Sequence, residues 1–135
     1  MQGLAADGGL FMPDAWPQVD IEKIKTLDSF IDVAKCIVPL FTQSSFSDDE
    51  VLELLDDTWH DFSKENFATI HQLDDTKSIL ELFHGPTAAF KDFGLQLAAA
   101  FFNKSLLKQN KTAIVLGATS GDTGSAAIDA CKRFD

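Results

Sequence analysis

Apolar residues in the first half of the chain recur at helical spacing. Phe30, Val33, Ala34, Ile37, Val38 and Phe41 fall at i, i+3, i+4, i+7, i+8 and i+11, which lines one face of an amphipathic helix. Asp28 precedes this run as its expected N-cap. Asp20 to Leu27 reads as a short helix, and the Gly- and Pro-rich residues 1–19 read as loop. Ser47-Asp48-Asp49-Glu50 is a capping box, with Ser47 as N-cap and Glu50 three residues on. Val51, Leu52, Leu54, Leu55 and Trp59 supply the apolar side of the helix that it starts, and three acids in the first turn suit the positive end of the helix dipole.

Near residue 76 the pattern changes. Ser78 to Phe83 reads as a short strand, followed by the turn His84-Gly85-Pro86-Thr87. An apolar helix is predicted from about Phe90 to Lys108. The continuous apolar run Thr112-Ala-Ile-Val-Leu-Gly117 then reads as a buried strand. A polar, Gly-rich turn leads into another helix over Gly124 to Arg133. Strand, helix, strand, helix in this order predicts a βαβ unit, and so an α/β fold. The predicted organisation is a helical region over 1–75 and the start of an α/β domain over 76–135. One βαβ unit is not a whole parallel sheet, so this domain reads as incomplete.

Composition narrows the possibilities. The 135 residues carry a formal net charge of −10, and Arg133 is the single arginine. Such a surface disfavours nucleic acid and anionic membranes as partners. Eight acids lie between Asp48 and Glu65, a pattern that reads as a solvated helix face. Cys36 and Cys131 form neither a CxxC nor a metal-ligand pattern, so no metal site is expected. Each falls in a helical pattern as a reduced thiol, which fits a cytoplasmic protein. The opening residues lack a basic segment followed by a long apolar run, so they do not read as a signal peptide. Leu95 to Leu107, interrupted by Gln96, Asn103 and Lys104, is too short and polar to span a bilayer.

Two turns could carry chemistry. In Phe83-His-Gly-Pro-Thr-Ala-Ala-Phe-Lys91-Asp92-Phe93, the lysine falls at a helix start among aromatic residues. A positive helix end and apolar neighbours both disfavour an ammonium, and a free amine is what condensation with a carbonyl requires. Asp92 opposes this if its carboxylate reaches Lys91. An ordinary solvent-facing lysine satisfies the same spacing. The second turn, Gly117-Ala-Thr119-Ser120-Gly121-Asp122-Thr123-Gly124, joins the predicted strand to a helix. Its small residues and amides suit an anion, and its hydroxyls add donors. It lacks both the Walker ending and the dinucleotide GxGxxG. A tight turn capped by hydroxyls is the alternative.

Three blocks together resemble the threonine synthase family: Gly3-Leu-Ala-Ala-Asp-Gly-Gly-Leu-Phe-Met-Pro13, Glu81-Leu-Phe-His-Gly-Pro-Thr-Ala-Ala-Phe-Lys-Asp-Phe93, and Gly117-Ala-Thr-Ser-Gly-Asp-Thr-Gly-Ser-Ala-Ala127. The resemblance covers essentially the whole chain. It implies a pyridoxal-phosphate (PLP) enzyme of fold type II, built like the tryptophan synthase β subunit. It also implies a lyase reaction that converts O-phosphohomoserine and water to L-threonine and phosphate. Lys91 would hold PLP covalently and move protons between substrate carbons. Thr119, Ser120, Gly121, Asp122 and Thr123 would take the substrate carboxylate. Many relatives in the wider superfamily carry Asn where this chain has Asp122, and Asp is the residue expected of the threonine synthase branch. An ionised Asp122 accepts and does not donate. No chemistry is assigned to His84, read as a turn or core histidine, or to Thr87.

The family's PLP-phosphate loop and its pyridine-nitrogen contact have no candidate in these residues. The chain therefore reads as an N-terminal fragment cut at both ends and inactive by itself, and PLP could be absent from it. Apolar surface left uncovered predicts self-association. Two other readings stay open: a threonine-synthase-like phospholyase or other PLP lyase, and a non-catalytic anion-binding module.

Overall fold

The computed structural model describes residues 3–42, 45–63 and 67–134. These form two compact units, 1–55 and 56–135.

The first unit is helical. Helix α1 (Ile21–Ile24) starts at Asp20, whose carboxylate accepts from the Lys23 amide at 3.0 Å. Helix α2 (Phe30–Ile37) is capped by Ser29 and not by Asp28. Ser29 Oγ accepts from the Asp32 amide at 3.0 Å and donates to the Asp32 carboxylate at 2.6 Å, a reciprocal pair that Asp28 is one position too early to make. The predicted continuous run to Phe41 breaks at Val38, and α3 (Pro39–Thr42) restarts at a proline. Proline has no amide hydrogen to continue the ladder but suits the first position of a helix. Helix α4 (Asp48–Thr58) opens with the predicted capping box. The Ser47 amide donates to Glu50 Oε2 at 3.0 Å, and the Glu50 amide donates to Ser47 Oγ at 3.3 Å. Val51, Leu55, Thr58 and Trp59 are buried at the spacing of one helical face.

In the second unit, β1 (Thr69–Gln72) and β2 (Ser78–Glu81) form an antiparallel hairpin, with Thr69 opposite Glu81 and Gln72 opposite Ser78. Asp74 shapes its turn by accepting from the Thr76 amide at 2.8 Å and the Thr76 hydroxyl at 2.9 Å. β2 is the predicted strand, shortened to end at Glu81. The sequence pattern does not predict its partner β1, and the two-stranded sheet replaces the expected parallel pairing with 112–117. That apolar run forms no strand, and among the described residues no strand pairs with it. Ala113 and Val115 line a cleft of about 270 Å³ with Ala99, Phe102, Leu106 and Cys131, whereas Ile114 and Leu116 stand 89 % and 92 % exposed.

Helix α5 (Lys91–Gln109) ends at left-handed Asn110 (φ 50°), whose amide and that of Lys111 return to the Leu107 and Leu106 carbonyls. Helix α6 (Asp122–Cys131) starts two residues earlier than predicted and continues as a 3₁₀ turn, Lys132–Phe134. α5 packs on α6 through small residues, with Ala100, Ala126 and Ala130 buried. Gln96, also buried, donates to Asp129 across this contact at 2.7 Å. Arg133 then ties the end of α6 to the end of α4, donating to the Thr58 and Asp57 carbonyls at 2.8 and 2.9 Å and to the Asp57 carboxylate. Trp59 and Phe62 are buried beside the start of α5. The Trp59 indole donates to the Phe93 carbonyl at 3.1 Å, and the Phe62 and Phe93 rings meet edge to face at 4.9 Å. No helix among the described residues is long and apolar enough to cross a membrane.

Candidate functional site

Lys91 is the first residue of α5 and is half-buried. Its Nζ lies 4.3 Å from the centre of the Phe90 ring. Asp92, its neighbour, is wholly buried and points elsewhere. The Thr87 amide donates to Asp92 Oδ2 at 2.9 Å, and the Thr87 hydroxyl donates to Oδ1 at 2.6 Å. Both carboxylate oxygens are thus held by one residue, and the turn between them is closed across Lys91. The backbone of Gly85 lies flat against this carboxylate. A Cβ on Gly85 would sit 2.6 Å from Asp92 Oδ2 and 2.9 Å from the Phe62 ring. Between Gly85 and Lys91 the chain passes through Ala88 in the left-handed region (φ 56°), where a residue with a Cβ is strained.

His84 stands in the same turn against the Phe83 ring, 4.7 Å between centres. Its Nε2 is buried without a hydrogen-bond partner, 3.6 Å from Glu81 Oε2. It is a turn residue as read from the sequence, but not a satisfied one. Phe93, expected beside Lys91, is engaged with Phe62 and Trp59.

The second predicted turn is an exposed loop at the start of α6. Thr119 organises it: its Oγ1 accepts from the Gly121 amide at 3.2 Å and the Gly124 amide at 3.0 Å. A Cβ at Gly124 would stand 2.7 Å from Thr119 Oγ1, so a larger residue there would displace the hydroxyl that organises the loop. Gly121, the N-cap, has φ 142°, a conformation open to glycine and strained for other residues. Gly121 has no side chain to cap α6, and Thr119 Oγ1 takes the Gly124 amide in its place. Ser120 and Asp122 are exposed and Thr123 is half-buried. Besides the two amides that Thr119 holds, the loop presents the Asp122 and Thr123 amides at a positive helix end, and a Thr119 hydroxyl proton able to donate while its oxygen accepts twice. Beside it, an apolar cleft of about 700 Å³ runs between 115–119 and α6, lined by Leu116, Ala127, Ile128 and Cys131.

The structure thus brings Thr119, Gly121 and Gly124 into one hydrogen-bonded loop. It places Lys91 at the start of the helix that packs on α6, with Gln96–Asp129 as the polar link. No hydrogen bond or ion pair joins Lys91 to 119–123 among the described residues. Sequence reasoning missed the Thr87–Asp92 pair. The signals were an acid in the first turn of a helix and a threonine and a glycine in the turn before it. No group of three or more His, Cys, Asp or Glu side chains among the described residues is placed to hold a metal ion.

Comparison with known proteins adds the family. Residues 1–59 match the model of the threonine synthase N terminus. The chain is 39 % identical over 137 residues to a threonine synthase of Pseudomonas aeruginosa, covering 100 % of this chain and 29 % of that protein. It is 36 % identical over 134 residues to the threonine synthase-like 2 of Xenopus laevis, covering 97 % of this chain and 28 % of that protein. The crystal structure of a PLP-bound threonine synthase from Brucella melitensis superposes with a TM-score of 0.90 at 38 % identity, over 98 % of this chain and 29 % of that one. This chain therefore spans under a third of the length of the proteins it matches. Its mixed helical and small-sheet architecture is that of the matched part of these structures. With sequence and backbone in agreement from end to end, the chain belongs to the threonine synthase family, as an N-terminal part of its fold.

Proposed function

We propose that this chain supplies the lysine turn and the substrate-carboxylate loop of a PLP-dependent threonine synthase, a lyase that converts O-phosphohomoserine and water to L-threonine and phosphate. The observation that carries the reading is the end-to-end match to a PLP-bound threonine synthase, with Lys91 at the start of α5.

The residues present suit the cofactor. PLP carries an aldehyde, which a primary amine captures, and Lys91 presents a half-buried amine over an aromatic ring with the adjacent carboxylate turned away. When bound, PLP supplies the electron sink for carbanion chemistry. Lys91 holds the cofactor covalently, and its amine, once released by substrate, moves protons between neighbouring substrate carbons. At α6, the amides of the 119–123 loop that Thr119 does not hold, with the Thr119, Ser120 and Thr123 hydroxyls, bind and orient the substrate carboxylate. Asp122, as a carboxylate, accepts a hydrogen bond and does not contact the anion directly. A cytoplasmic location goes with this reading, since Cys36 and Cys131 are free thiols.

The test is PLP trapping: the protein is mixed with PLP and reduced with borohydride, and the modified lysine is mapped by mass spectrometry. Selective labelling of Lys91, lost in Lys91→Ala, supports the reading. Labelling spread over surface lysines refutes a preformed lysine site in this chain. The 135 residues alone are expected to give no threonine, and measurable turnover would overturn that part. A second reading, a threonine-synthase-like phospholyase, is favoured by the similarity to threonine synthase-like 2. Phosphate release from O-phosphohomoserine by a longer chain carrying these residues, with or without threonine formation, separates the two.

A further inference from the structure

The carboxylate next to Lys91 is the group best placed to spoil its amine, and it is buried, doubly bonded and aimed away. We propose that Asp92, acting through Thr87, is a positioning residue for Lys91. The pair closes the turn 87–92 so that the lysine leaves it against the Phe90 ring and not against its neighbouring acid. This rests on the reading of Lys91 as the cofactor lysine.

Three features of the turn converge on the same carboxylate. Thr87 gives it two donors, one from the backbone and one from the side chain, at 2.9 and 2.6 Å. Bonds to an ionised acceptor are the strong ones, and burial strengthens them further. Gly85 lets the backbone close over it, where any Cβ would collide. Asp92 itself lies in the first turn of α5, where the helix dipole favours a negative charge. The strained Ala88 sits inside the loop that these bonds close. A turn with a left-handed alanine persists only if its surroundings hold it, and the Thr87–Asp92 bonds span it from both sides.

The consequence concerns chemistry at Lys91 Nζ. If Thr87 loses its hydroxyl, Asp92 Oδ1 loses its donor, and the loosened carboxylate can turn toward the lysine one residue away. An ammonium paired with a carboxylate is a poor nucleophile, because the lone pair it needs is bound to a proton. The substitution that isolates this is Thr87→Val, which keeps the branched shape and the backbone donor and removes only the hydroxyl. Thr87→Ser keeps both donors.

The experiment is competitive acylation of the 135-residue chain with trace acetic anhydride, with the reactivity of each lysine read by mass spectrometry as a function of pH. It needs no cofactor. Lys104 and Lys108, on the same helix, are internal references. In Thr87→Val, Lys91 reactivity relative to these references should fall roughly tenfold near neutral pH, the size of one charge-assisted hydrogen bond. Thr87→Ser should keep the wild-type profile. The proposal is overturned if Thr87→Val leaves Lys91 unchanged, or if Thr87→Ser loses as much as Thr87→Val. Should Thr87→Val lose its helical circular dichroism, amide exchange in the wild-type chain decides: a protected Thr87 amide supports the clasp, and free exchange there refutes it. PLP trapping on the same samples separates the two readings. Scattered labelling with an intact Thr87 effect sinks the preformed lysine site alone, and selective labelling without a Thr87 effect sinks the positioning role alone.

Discussion

Replacing Gly85 by alanine should destabilise the second unit far more than an ordinary turn substitution. The added Cβ would stand 2.6 Å from Asp92 Oδ2, 2.7 Å from Asp92 Cβ and 2.9 Å from the Phe62 ring. Ordinary heavy-atom contact is about 3.5–4.0 Å, so all three neighbours are overlapped. None is a flexible chain end, since Asp92 and Phe62 are both buried. Either the turn shifts as an overpacked site, at about 1–3 kcal/mol, or Asp92 swings out and leaves buried polar groups unpaired, at about 1–3 kcal/mol each. The expected loss is about 2–4 kcal/mol, which at a urea slope of about 2 kcal/mol per molar lowers the midpoint by about 1–2 M. Gly94→Ala is the control of opposite sign. Gly94 lies inside α5 with nothing within 4 Å of the position a Cβ would take, and alanine there should add about 0.5–1 kcal/mol through helix propensity. Urea denaturation followed by circular dichroism reads both. A Gly85→Ala midpoint equal to wild type would refute the packing argument.

Trp59→Phe keeps most of the buried ring but removes the indole N–H that donates to the Phe93 carbonyl at 3.1 Å. A loss of about 1–2 kcal/mol in the same urea assay is expected. The hydrogen bond and charge of Asp129 hold the Lys132 ammonium above its ordinary value of 10.5. A raised folded-state pKa means that this contribution is complete below 10.5 and fades as pH climbs through the higher folded value. The midpoint gap between wild type and Lys132→Gln should therefore close on going from about pH 9 to about pH 11.5, and a gap that stays constant contradicts the pairing. Self-association is proposed through the exposed apolar run at 112–117, whose backbone pairs with no strand among the described residues. Light scattering should give an assembly that Ile114→Lys converts toward monomer, and a monomeric wild type at high concentration would refute it.

Local signals were legible wherever neighbouring residues sufficed to make the structure. The Ser47–Glu50 capping box formed as read, because both its bonds lie within four residues. The apolar face of α4 followed from periodicity and the extent of α5 from its apolar composition, since a helix satisfies its own backbone. The cap of α2 slipped by a residue to Ser29, and the break before Pro39 was not read at all. The hairpin turn at Asp74 was equally local, and its Asx bonds to Thr76 were available to be read.

Strands and site geometry were different. A strand is defined by its partner, so the apolar run 112–117 and the segment Ser78–Glu81 look alike in one dimension, and only the second has a neighbouring strand among the described residues. The motifs alone placed Lys91 and the 119–123 loop at helix starts and carried the family resemblance, because glycine, hydroxyl and lysine spacings are written in the chain. Which way Asp92 points was decided by the tertiary structure. Its carboxylate could have faced Lys91, one residue away, but the buried space beneath Gly85 and the two Thr87 donors hold it on the other side.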